Sequence, residues 1–492
     1  MDLRVRGGDL RPRRGPHLRR GGALRPGGGP LGGAPAHAQR PSRAGRRRGG
    51  RTHLRGVRRT RPRLHLRHRQ RAPDSVRSDP PLPWGWHVGL ALGLAGWVGW
   101  RILADRPELA EAVAGRGLLP RLSQALSLAT GWIPVSLAEF VVLGVVGALG
   151  WSAAGELRRR RRSGRRDGGA RGPASAGPGA SAGAGGRIAE GNEPVLRLLR
   201  RGALRILRDA GVLFFLFQLL WGFGYARPGL ADRLEITAAG EAPALEVRSL
   251  AAALVIRTNE LRAELEAEGR ADPEAPLPAL SHRSLVRALE PAWLEAADRW
   301  PLPPEARWRM GAPKPLWASE AVRRLGIAGI YFPYTGEALV VAGRPASAAP
   351  RDLAHEMAHQ RGIAREDDAN ATAYLVGLHA EDAAVRYAVA LFIQRQALNA
   401  LLAVDPAAVR RLVEARSPGV QADVRDQVEW SREVAGTPVA RVASAANDRM
   451  LRSHGIDEGI RSYQGSLWIV LALARREGLG AILPPVGGGA SP

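Results

Sequence analysis

Three apolar runs, each about twenty residues long and so able to span a hydrocarbon core of ~30 Å at a rise of ~1.5 Å per residue, lie between Trp84 and Tyr225. A chain that carries them must cover them with lipid or with protein. The first, Trp84 to Leu103, reads WGWHVGLALGLAGWVGWRIL and places Trp84, Trp86, Trp97 and Trp100 toward its ends, as side chains at membrane interfaces are placed. The second, Trp132 to Trp151, has Trp at both ends. The third runs from about Ile206 to Tyr225, with Trp221 and Tyr225 near its exit, and Arg208 and Asp209 blur its start. A signal peptide does not account for the pattern, because the first run lies deep in the chain and two more follow. Glu139 inside the second run is expected to meet a polar partner or a water-filled cavity, or to be protonated and bonded to a neighbouring helix.

Charge orients these runs. Arg158 to Arg162, Arg165 and Arg166 precede a Gly/Ala/Ser-rich linker, so residues 156–190 read as a basic, flexible loop. By the excess of Arg it is cytoplasmic, which places the N-terminus inside and the segment after Tyr225 outside. The expected protein is a multi-pass cell-membrane protein with an extracytoplasmic C-terminal domain, and the lipid bilayer is its first partner. The net charge of +26 suggests nucleic acid until it is located: residues 1–80 hold 23 Arg and four Asp, a net of +19, leaving +7 for the other 412 residues. That Arg/Gly/Pro-rich stretch has no hydrophobic period and no interleaved aromatics, so it reads as a disordered tail and nucleic acid is not the expected partner. The chain has no Cys, which excludes disulfides, thiolate metal sites and cysteine nucleophiles. Any metal must be held by His and carboxylate.

The expected organisation is therefore the tail 1–80, a membrane region 81–229 with helices at about 84–103, 132–151 and 206–225, a mostly helical domain 230–480, and a flexible tail 481–492. Leu250 to Glu268 has helical patterning, and Pro-rich breaks recur at 273–278 and 301–304. Gly326 to Val341, GIAGIYFPYTGEALVV, holds two short β-branched or apolar runs around Tyr334-Thr335-Gly336, which predicts a hairpin. Leu467 to Ala474 is apolar but too short to span a bilayer and reads as a buried helix.

Ala348 to Gly362 reads AAPRDLAHEMAHQRG. Ser347 is available as an N-cap, Pro350 suits the first turn, and Gly362 suits the end of a helix. On that helix His355 and His359 are one turn apart, so both imidazoles leave the same face and can reach one Zn²⁺. Glu356 stands beside the first, where a carboxylate can take a proton from water polarised by the metal and pass it to a leaving amine. Past the turn at Gly362 a second helix brings back Glu366, the preferred third metal ligand, with Asp368 as rival; Asp367 points elsewhere. Asn370 lies one turn beyond Glu366 and suits a hydrogen bond to the outer nitrogen of a ligand His. His379 is a further nitrogen donor, with no ligand motif around it.

HEMAHQRGIAREDDAN, preceded by GIAGIYFPYTGEA, resembles a bacterial family of multi-pass membrane proteins labelled only as a domain of unknown function. The resemblance covers about residues 84–478, including WGFGYARP after the third run and NDRMLRSHGIDEGIRSYQG near the end. The family's usual EDEAN stands here as Glu366-Asp367-Asp368-Ala369-Asn370, which argues against Asp368 as an indispensable ligand. A Glu followed four residues later by Asp or Asn also resembles the third-ligand helix of membrane-associated gluzincin peptidases. That resemblance implies a mainly α fold, three transmembrane helices followed by a zincin-like α+β domain. It implies zinc on His355, His359 and Glu366, Glu356 as general base, and Asn370 in support. By the same analogy Tyr331 to Val341 would hold an edge strand that aligns an extended peptide or protein substrate. Arg461 or Tyr463 would donate to the oxyanion. The function expected is a membrane-anchored zinc metallopeptidase; the alternative is a non-catalytic sensor or scaffold with a structural or vestigial metal site.

Overall fold

The computed structural model describes residues 85–168, 193–237, 243–434, 437–457 and 465–487. The tail 1–80, Trp84, the later part of the loop 156–190, the Arg461-Ser462-Tyr463 segment and the end of the tail 481–492 lie outside them.

The described chain is mainly α. Its longer helices are α1 (Trp86–Ala104), α2 (Leu118–Gly131), α3 (Leu137–Gly168), α4 (Glu193–Leu220), α5 (Ala244–Ala267), α6 (His282–Arg299), α7 (Ala349–Gln360), α8 (Glu366–Leu378), α9 (Ala383–Leu402), α10 (Pro418–Val434), α11 (Pro438–Ser453) and α12 (Ser466–Glu477). Among the described residues one helix, α1, is long and apolar enough to cross a membrane; in α3 the apolar part is the shorter stretch Leu137–Ala148. The second run was expected to be helical from Trp132, but α3 begins only at Leu137. Pro134 and Ser136 explain the delay: Ser136 Oγ accepts from the backbone N–H of Glu139 at 3.3 Å and caps the helix. At its other end α3 continues to Gly168, through residues expected to be a flexible loop, because Leu and Arg are good helix formers.

Helices α1 and α4 run parallel and touch backbone to backbone. A β-carbon at Gly89 would lie 2.4 Å from Arg208 Cα, one at Gly211 would lie 2.0 Å from the Gly89 carbonyl oxygen, and farther along Gly96 meets Phe215 and Gly99 meets Phe223. Small residues at this spacing let two helices approach without side chains between them. By contrast, the apolar side chains Phe140 to Val146 of α3 are largely exposed.

The C-terminal part has one large core, in which Leu250, Leu254, Leu261 and Leu265 of α5 pack with Tyr387, Leu391, Ile393 and Leu398 of α9. The apolar stretch Leu467–Ala474 lies in α12 with Leu467, Val470 and Leu473 buried, as its length suggested. The expected hairpin is present, β2 (Gly329–Phe332) against β3 (Glu337–Val340), and β1 (Lys314–Pro315) adds a parallel strand. Among the described residues the order β1-β3-β2 leaves β2 with a free edge. Val341 N–H donates to the Ala328 carbonyl at 2.9 Å. Alternation along the ladder then turns the N–H and C=O of Ile330 and Phe332 to β3, and those of Gly329 and Tyr331 to the free edge.

Residues on the two sides of position 229 pack together. Glu337, 2% exposed, accepts from the backbone N–H groups of Leu137 (3.0 Å) and Ala138 (2.8 Å) at the start of α3, from Lys314 Nζ (2.6 Å) and from Thr335 Oγ1 (2.7 Å). A carboxylate at a helix N-terminus satisfies orphan donors and complements the dipole. Glu139 is not stranded in lipid, because it accepts from the N–H groups of Trp317 (3.0 Å) and Ala318 (2.7 Å). Burial pushes the Glu337 carboxyl up, but Lys314, Thr335 and the two backbone donors outweigh it and hold the carboxyl below its usual range. Its stabilising contribution is therefore complete above the unfolded carboxylate value, about 4.3, and disappears as pH falls through the lower folded value. Glu337→Ala is expected to cost about 3–5 kcal/mol in a detergent melt, because it leaves Lys314 buried without its partner. Wild type should also lose more melting temperature than Glu337→Gln between about pH 5 and about pH 3, the span over which the unfolded carboxyl takes up its proton.

Candidate metal centre

Helices α7 and α8 build the site. Pro350 occupies the first turn of α7 as expected, but Ser347 does not cap it, since its hydroxyl accepts from Gln427 Nε2 at 2.8 Å and Ala348 stands at the cap position. Gly362 ends the helix at φ 81°, a left-handed conformation that suits Gly. The reversal lays α8 against α7. His355, Glu356, His359 and Glu366 are all buried there.

Glu366 Oε2 lies 3.2 Å from His355 Nε2 and 3.5 Å from His359 Nε2, and the two imidazoles cross edge-on at 4.5 Å between centroids. His359 Nδ1 meets the Ile363 carbonyl at 2.7 Å and donates to it, which leaves Nε2, once it gives up the proton that Glu366 favours, as the atom a metal would engage. Glu366 Oε2 and Glu356 Oε2 are buried with no hydrogen-bond partner. Buried, unsatisfied carboxylate oxygens are costly, and two imidazoles with one carboxylate form a donor set that suits a divalent metal. The three donor atoms lie within 4.8 Å of one another, and among the described residues this is the group that can hold an ion.

Burial dominates the electrostatics. It lowers His355 to about 4, with the neighbouring His359 charge adding to the effect, so His355 is a neutral donor at physiological pH. Burial also raises Glu356 to about 8. Glu366 is held far below its usual range because the two imidazoles outweigh its burial.

The other expected donors are placed apart. Asp368 turns toward the short segment after Arg227, accepts from the backbone of Leu230, and is raised to about 7 by burial and by Asp367. His379 Nε2 accepts from Trp300 Nε1 at 3.3 Å, a packing role. Asn370 was expected to hold a ligand His; instead its Oδ1 accepts from Arg351, while His355 Nδ1 has no hydrogen-bond partner and His359 Nδ1 is taken by Ile363. The bond to Asn370 ties the first turn of α7 to α8, and Arg351 also donates to its α7 neighbour Asp352 at 2.8 Å. Its fork needs two acceptors, and Asn370 is one of them.

Several residues around the centre carried no sequence signal. Trp221, at the end of α4, sets its ring edge-on to His359 at 5.3 Å and 5.0 Å from the Tyr331 ring. Arg227, in the WGFGYARP segment, donates to Glu111 (2.8 Å), Glu305 (2.9 Å) and the Gly362 carbonyl (3.2 Å), which pins the turn between the ligand helices. Gln360 Nε2 donates to Ser127 Oγ (2.9 Å) and the Gly311 carbonyl (3.0 Å), fastening α7 to α2. A β-carbon at Gly329 would sit 2.5 Å from Glu356 Oε1, so the Glu356 carboxyl presses on the backbone of the edge strand. The Gly before IYF was the available clue.

Fold and site together define a mainly helical protein with a buried two-histidine, one-glutamate cluster between adjacent helices. Residues 193–470 match the family described as "Protein of unknown function (DUF3810)", and the chain belongs to that family. The match starts at α4 and ends within α12, where the resemblance read from the sequence reached back to residue 84. No curated protein and no solved structure matches the chain.

Since removal of a group that merely supports a metal ligand costs ~10–100-fold in affinity, His355→Ala, His359→Ala and Glu366→Ala should each weaken metal binding by more than ~100-fold. Asp368→Ala and His379→Ala should hold metal within about threefold of wild type, a difference under ~1 kcal/mol. Competition against a chromogenic chelator, with bound metal counted by mass spectrometry, reads both outcomes.

Proposed function

We propose that this protein is a membrane-anchored zinc metallopeptidase. The observation that carries the reading is the convergence of His355 Nε2, His359 Nε2 and Glu366 Oε2, with the Glu356 carboxyl set between them and the backbone of β2. A zinc ion held by these three groups supplies the Lewis acidity that makes water a competent nucleophile near neutral pH. A purely structural metal would not require Glu356 to be buried without a partner at this position.

The rest of the chemistry belongs to the chain's own side chains. Glu356, whose ionised form the charge of a zinc ion would favour, takes a proton from the attacking water as the water oxygen adds to the scissile carbonyl carbon. As the C–N bond breaks, the same carboxyl returns that proton to the departing amine. The outward N–H and C=O of Gly329 and Tyr331 pair with an extended substrate, and the missing side chain at Gly329 lets the Glu356 carboxyl lie against the strand that holds it. Trp221 and Tyr331 exclude water from the flank of His359.

The same reading makes α1, the apolar part of α3 and the second half of α4 three membrane crossings. The parallel course of α1 and α4 supports it, as does the start of α3 at the soluble domain, because three crossings require an up, down, up order. The Arg run of α3 then lies in the cytoplasm and the metal centre outside.

Purified full chain in detergent, given zinc and a casein substrate, should lose at least ~10³-fold in proteolysis on Glu356→Gln while keeping its zinc. Zinc retained with unchanged proteolysis would sink the peptidase, and a metal other than zinc would change the cofactor. A reporter enzyme fused after Pro492 should be active only outside the cytoplasm, and a cytoplasmic signal there would reverse the orientation.

A further inference from the structure

The edge strand beside the candidate metal centre points at the membrane. At its near end Gly329 touches Glu356. At its far end Phe332 is the cross-strand partner of Glu337, the carboxylate that caps the start of α3. Three residue steps separate those ends, about 10 Å of extended chain. Beyond Phe332 the Tyr334 hydroxyl donates to the Leu213 carbonyl of α4 at 3.0 Å. Leu213 lies seven residues before the end of α4 at Leu220, about 10 Å back along the helix. The hairpin tip is thus level with the apolar part of α4, where Leu213 and Leu216 are exposed, and beside the first turns of α3, where Phe140, Val141 and Val142 are exposed.

The free edge of β2 forms one wall of a groove whose other wall is α11, with Gly329 and Ile330 opposite Ala440, Ala443, Ser444 and Asn447. Ala440, Ala443, Ser444 and Ala445 are small, and Arg441, Asn447 and Asp448 add polar side chains to the same wall. Beside the far end of β2, the exposed apolar side chains of α3 and α4 are lipid-facing surface in the membrane reading above. A soluble peptide would gain nothing from that surface, whereas a chain emerging from the bilayer beside it would meet the edge of β2 within a few residues.

We infer that the substrate is a polypeptide anchored in the bilayer, held as an extended strand along β2 and cut about three to six residues outside the lipid, the reach set by ~3.3 Å per residue. This rests on the peptidase and membrane readings above.

The test uses full chain in lipid vesicles and one quenched reporter sequence in three forms: free, joined directly to an apolar helix of about 20 residues, or joined to it through a polar spacer of about 20 residues. The directly joined form should show a kcat/KM at least ~10-fold above the other two, with the cut near the helix. Equal or faster hydrolysis of the free or spaced form would overturn the inference and leave the peptidase standing. A second readout needs no turnover. The chain has no Cys, so Ile330→Cys in a Glu356→Gln background offers one thiol. With a mild thiol oxidant added to take the two electrons, disulfide formation should favour a peptide thiol about three residues outside the anchored helix, by the same strand reach. That preference without hydrolysis of any form would sustain the substrate class and sink the peptidase. Equal trapping of the free peptide would sink the substrate class.

Discussion

Four ionisable side chains packed into the contact between two short helices are the constraint on which the rest of this structure depends. His355, Glu356, His359 and Glu366 are each under a tenth exposed, and charge held there is tolerated only when another charge or a metal answers it. The pair α7 and α8 cannot relax apart to let water in. Arg351 bridges their first turns, and Arg227 holds the turn that joins them through the Gly362 carbonyl. Arg227 is itself buried and balanced by Glu111 and Glu305. The polarity of the centre is thus offset in layers, each charge fixing the position of the next.

Those layers draw in the segments before residue 229. Glu111 lies beyond α1, Ser127 belongs to α2, and Trp221 closes α4, yet they reach Arg227, Gln360 and His359 respectively. A truncated domain beginning after Tyr225 would lose the ring beside His359, one acceptor for Gln360 and one partner of Arg227. The apolar helices are therefore part of the frame of the centre and not only its tether.

What the sequence disclosed follows the range of the forces involved. Periodicity and local stops placed the helix under HEMAH, the turn at Gly362 and the hairpin, because each is decided by residues a few positions apart. The convergence of Glu366 on the two histidines was legible for the same reason, since a one-residue αL turn leaves the following helix few directions. The partners of Asn370, Glu139 and Ser347 were not legible. Each is met by a group far along the chain or on a facing helix: Arg351, the backbone of Trp317 and Ala318, and Gln427. Helix limits in the apolar runs were misjudged where hydropathy overrode capping, as at Ser136.

The glycine contact between α1 and α4 has a consequence at a distance. At Gly89 and Gly211 there is no room for even a methyl group. Any larger residue there acts as a wedge that splays the two helices, and Trp221 stands ten residues past Gly211, about 15 Å along the same rod. A lesion in the apolar stem would thus be felt as a displaced ring beside His359, so a variant far from every donor atom can present itself as a defect in metal binding.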